Sequence, residues 1–103
     1  MSPSRHQLLD DALGMSRRMA ELGDEGDWDA VVALEPARRQ LLEEAFATHA
    51  PVDEFVTDRV RAILDLDKRL MAQSIEARDR VAAELGRSSK GRKATQAYHL
   101  AGS

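Results

Sequence analysis

Three histidines, His6, His49 and His99, are the side chains of this 103-residue sequence best suited to proton transfer or metal ligation. They fall in three different segments, near helix ends or in the tail. No His pair stands at i, i+4 with a carboxylate beside it, so they read as surface imidazoles. Ser4, Ser16 and Ser74 have no nucleophile-elbow glycines around them. The stretch GRSSKG (86–91) does not continue into the GxxxxGK[ST] phosphate-binding pattern, and no strand precedes it. Cysteine is absent, which excludes disulfides and thiolate metal sites and suits a reducing cytoplasm. The carboxylates scatter over helix faces. Asp67, in LDLDKRL, is the exception: it falls on an apolar face, where an ion pair across the bundle to Arg38 or Arg39 is the expected explanation. No catalytic residue, cofactor-binding residue or metal ligand is therefore expected, and the chain does not read as an enzyme.

The charge pattern narrows the partners. Residues 1–86 carry 11 Lys/Arg and 18 Asp/Glu, a net of −7; residues 87–103 carry Arg87, Lys90, Arg92 and Lys93 and no acid, a net of +4. An acidic body with a short basic tail argues against direct nucleic-acid binding. No segment approaches the ~20 apolar residues that span a bilayer, and MSPSRHQLLDDALG lacks the shape of a secretory signal. A resident cytoplasmic protein with no membrane contact is expected.

The elements that position these residues are helical. Hydrophobic residues make up 43% and charged residues 32%, with 4% aromatic, a balance rich in Ala, Leu, Glu and Arg. The fold expected is all-α: an antiparallel three-helix bundle with a long third helix and a conditional short C-terminal helix. Helix 1 spans about 4–22, with Ser4 as N-cap and Gln7 completing a capping box. Gly14 inside it reads as close approach or simple tolerance rather than a hinge. GDEG (23–26) turns the chain. Helix 2 spans about 27–48, capped by Asp27 or Asp29. Its stripes Trp28, Val32, Leu42, Phe46 and Val31, Leu34, Leu41, Ala45 merge into one broad inner face, on which Glu35 and Arg38 also fall. Pro36 should kink or break it locally. Helix 3 spans about 53–85 along Val56, Val60, Ile63, Leu70, Ser74, Ala77, Val81 and Leu85. Domain organisation is thus a helical bundle over 1–86 and a basic, hinged segment over 87–103, with GRSSKG as the loop or hinge between them.

Helix 3 offers the candidate site. Some 33 residues extend about 50 Å against about 30 Å for each of the other helices. Part of its apolar face must be exposed, be covered by the tail, or meet another protein. Leu64, Leu66, Met71 and Ile75 widen that face beyond one bundle seam. With Leu41 and Ala45 of helix 2 they are expected to receive an amphipathic partner helix. The tail, carrying Arg92, Lys93, Tyr98 and Leu100, could dock on the same groove and lower partner affinity by its docked fraction. The exposed face would serve a homodimer as well.

Three stretches resemble the FliT-type flagellar export chaperones: GDWDAVVALEPARRQLLEEAF (26–46), ILDLDKRLMAQ (63–73), and GRKA followed by AY (91–94 and 97–98). Pro36 and the short run after Tyr98 depart from the family pattern. The resemblance implies a small cytoplasmic helical bundle that holds the unassembled filament-cap protein, through that client's C-terminal helical segment, for type III export. It further implies contacts with the export ATPase complex and, in some members, with a flagellar transcription regulator, and a C-terminal segment able to fold back over the client surface. A chaperone of hook–filament junction subunits, a sequestering regulator of a transcription factor and a self-associating coiled coil are the rival readings.

Overall fold

The computed structural model describes residues 3–47 and 49–101, with side-chain surroundings through residue 87. Three helices follow one another: α1 (Arg5–Asp24), α2 (Trp28–Ala45) and α3 (Glu54–Ala101), and no strand occurs among the described residues. By compactness the chain divides into two units, Met1–Gln73 and Ser74–Ser103.

Local signals set the helix ends. Ser4 Oγ accepts the Gln7 amide at 3.1 Å and Asp27 Oδ1 accepts the Ala30 amide at 3.3 Å, so Asp27 rather than Asp29 caps α2. The Gln7 side chain bonds Asp11 at 3.0 Å instead of returning to Ser4, leaving half of the expected capping box. Gly26 has φ 76°, the left-handed geometry that turns the chain between α1 and α2. α1 runs two residues further than its apolar pattern suggests, through Gly23 to Asp24. α2 continues through Pro36. Val32 and Pro36 are both exposed, so the carbonyl that proline cannot serve lies on the wet side of the helix.

The first unit is an up-down-up bundle stacked in three apolar layers. Leu8 and Leu9 meet Ala45 and Val56; Ala12 and Leu13 meet Ile63; Met19 and Leu22 meet Val31, with Trp28, Leu34 and Leu70 packed on them. Rising numbers in α1 pair with falling numbers in α2 and rising numbers in α3, which fixes the antiparallel order. Leu9, Met19 and Val56 are fully enclosed, each stabilising the fold by about 1.5–3 kcal/mol. A Cβ on Gly23 would lie 2.6 Å from Gln73 Oε1 and 3.0 Å from Leu70 Cδ1, so this glycine permits close approach of α1 and α3. Gly14 has nothing within 4 Å of such a Cβ: it is tolerated, not required.

Three expectations are corrected. Val32 and Phe46 are 69% and 45% exposed, so the inner face of α2 is narrower than its apolar pattern. Residues 86–91 are helix, not loop, and α3 has no break at 85. Glycine lowers helix propensity by about 1 kcal/mol but stops a helix only with a left-handed cap or a following proline, and Gly26 is the described glycine with positive φ. Within the second unit, Ser74, Val81 and Leu85 are exposed and Ala77 half-buried, so the inner stripe expected along α3 ends as a core-facing stripe before them.

Candidate partner-binding groove

A polar tie holds the middle of the bundle. The Arg38 side chain, 12% exposed, bonds Ser16 Oγ of α1 at 3.3 Å, Glu35 of its own helix at 2.9 Å, and Asp67 of α3. Ser16 is itself buried and donates to the Ala12 carbonyl at 2.9 Å. Burial works against the Arg38 charge, but Asp67 and Glu35 together outweigh it and raise its pKa. The partner of Asp67 is thus Arg38; Arg39 pairs with Glu35 at 3.2 Å.

A second polar cluster fixes the connection from α2 to α3. Arg5 Nε donates to the Ala45 carbonyl at 3.0 Å, and its Nη1 to the carbonyls of Ala50 and Pro51 at 3.2 and 3.3 Å. His6 Nε2 lies 2.8 Å from Asp53 Oδ2, and its ring stacks on Phe55 with centroids 4.1 Å apart. Arg59 covers the Phe55 ring at 4.1 Å and donates to Asp10 at 2.7 Å. Asp53 caps α3 by accepting the Val56 amide at 2.9 Å; that bond, with His6 and Arg5 nearby, holds its carboxyl below the usual carboxylate range.

Beside this clamped connection an apolar groove of about 370 Å³ opens, lined by Phe46, Val52, Val56, Thr57, Val60, Arg61 and Leu64. Its walls come from the C-cap of α2, the connection and the first turns of α3. Val52 and Leu64 are 64% and 53% exposed, and Met71, two turns on from Leu64 and about 20° around the helix from it, is 66% exposed. Val52, Leu64 and Met71 thus form a run of open, large apolar side chains at and beyond the groove.

The residues expected to form the site distribute unequally. Leu64 lines the groove and Met71 extends its face. Ile75 is 43% exposed and belongs to the second unit. Leu41 is half-buried between two core layers, and Ala45 is fully enclosed against Leu8, Leu9 and Val56, so a partner reaches Ala45 only if the helices part. Leu66 points to the other side of α3, packing on Ala12, Leu13 and Ile63; two residues from Leu64 is about 200° around the helix. The side chains of Arg92, Lys93, Tyr98 and Leu100 lie outside the described residues. Periodicity missed Phe46, Val52 and Val60 as lining. Phe46 and Val52 frame the polar connection HAP, and a large apolar residue on each side of such a connection was the available signal. Among the described residues no group of three or more His, Asp or Glu is placed to hold a metal, and no helix is long and apolar enough to cross a membrane.

Comparison with curated proteins and with solved structures returns no match. A family model described as flagellar protein FliT matches residues 6–100, which takes in all three helices. With that match over nearly its whole length, the chain belongs to the FliT family, a family of flagellar chaperones rather than enzymes.

Proposed function

We propose that this chain is a cytoplasmic export chaperone that binds the unassembled filament-cap protein, taking an amphipathic helix of that client into the groove between the end of α2 and the start of α3. The observation that supports the reading is the run of open apolar side chains Phe46, Val52, Leu64 and Met71, three of which line one groove. An isolated bundle has no use for that surface, whereas an unassembled subunit with an apolar helix needs it covered.

Purified cap protein, hook–filament junction subunit and flagellar transcription regulator, each mixed with this chain and resolved by size-exclusion chromatography, separate the candidates. Co-elution with the cap protein is the expected result. Co-elution with a junction subunit or the regulator alone overturns the assignment, and a concentration-dependent dimer without any client replaces it with self-association.

A further inference from the structure

Arg61 is the charged residue that lines the groove. Along the face of α3 centred on Leu64, the charged residues flanking the apolar ones are Arg61, which lines the groove, and Lys68, one turn beyond Leu64. Both are exposed, and neither makes an ion pair among the described residues. Arg61 and Lys68 lie about 60° and 40° around the helix from Leu64, and the exposed acids Glu54, Asp58 and Asp65 lie behind them on the same flank, about 80–120° around. Asp67 is engaged by Arg38, and Glu35 by Arg38 and Arg39. Most other cations of the first unit are already paired: Arg38 and Arg39 within the bundle, Arg59 with Asp10, Arg69 with Asp24, Arg18 with Glu21. Within residues 1–86, of net charge −7, Arg61 and Lys68 are thus cations without an ion pair among the described residues that stand closer to the open apolar face than the acids of their flank.

Resting on the groove as the client site, we infer that Arg61 and Lys68 select the client: the helix that docks presents carboxylates seven residues apart, on either side of the apolar side chains that meet Leu64. Seven residues span about 10.5 Å of helix, so acids at i and i+7 match the two cations in register. Charge at the edge of an apolar site acts on partner choice and on-rate more than on gross affinity. The same charges make the chain's own tail a poor occupant. Residues 87–103 carry four cations and no acid, so docking them would set like charges together.

The test uses the full chain and two designed helical peptides with the same leucines, one with Glu at i and i+7 and one with Lys there, titrated calorimetrically at low salt. The intact cap-protein C-terminal segment is titrated in parallel. The expected result is about tenfold tighter binding of the Glu peptide, a preference that shrinks at high salt and reverses in the doubly charge-reversed Arg61→Glu, Lys68→Glu chain, checked for folding by circular dichroism. Equal affinity for the two peptides, or binding of neither while the cap segment binds, overturns the selection by charge and leaves the client site standing. A Glu preference without cap-segment binding supports the charge inference and removes the cap protein as its natural occupant.

Discussion

Arg38 touches all three helices of the bundle, and its consequences are largest when it is removed alone. Arg38→Leu leaves Asp67 without its cation and removes the bond that buried Ser16 accepts, and should destabilise the fold by about 1–3 kcal/mol in urea titration. Adding Asp67→Leu should recover a good part of the loss, because a partly buried ion pair contributes little over a packed apolar pair. Loss from the double change as large as the sum of the single ones would contradict that account. The two helical glycines of α1 differ in the same assay. Gly14→Ala should stabilise by up to about 1 kcal/mol, since its Cβ meets open space. Gly23→Ala should destabilise, since its Cβ collides with Gln73 and Leu70. The Arg38–Asp67 tie was legible in the sequence because an acid on an apolar stripe needs a cation, and Arg38 falls on the inner face of the facing helix. The roles of the glycines were not legible, since spacing along one helix does not say how near the next one comes.

At the scale of elements, the start of α3 depends on Asp53. Its carboxyl is held below the ordinary range chiefly by the Val56 amide, so its contribution is complete above the unfolded carboxylate pKa of about 3.9 and disappears as pH falls through the lower folded value. Asp53→Asn should therefore flatten the acid limb of the stability curve below about pH 4, followed by urea unfolding from pH 5 to pH 2.5. An unchanged limb would show that the cap is not linked to folding. The continuity of α3 has its own check: ending the chain at Leu85 should remove the helical circular dichroism of residues 86–101 along with the residues themselves. Helix existence and order were readable from the 3.6-residue period. The helical course of GRSSKG was not, because two glycines read as punctuation although neither a left-handed cap nor a proline is there to end the helix.

For the whole molecule, length and periodicity already said that α3 had more apolar face than its partners could cover. Where that surplus lies was only half readable. Leu64 and Met71 are open as expected, but Leu66 and Ala45 belong to the core, and Phe46 and Val52 complete the groove from a connection that periodicity ignores. A period names a face, and only packing decides which edge of that face stays open. Tail truncation belongs to this scale too: with like charge on tail and groove, a chain ending at Leu85 should bind client no more tightly than the full chain, and a clear gain on truncation would show that the tail competes. The central claim is that this groove holds the client. The most direct measurement is calorimetric titration of the filament-cap protein's C-terminal segment into the full chain and into a Leu64→Glu, Met71→Glu chain whose folding is verified by circular dichroism. Binding to the first and its loss, at least a hundredfold, in the second is the predicted result; unchanged affinity in the folded double variant would place the client elsewhere and contradict the account.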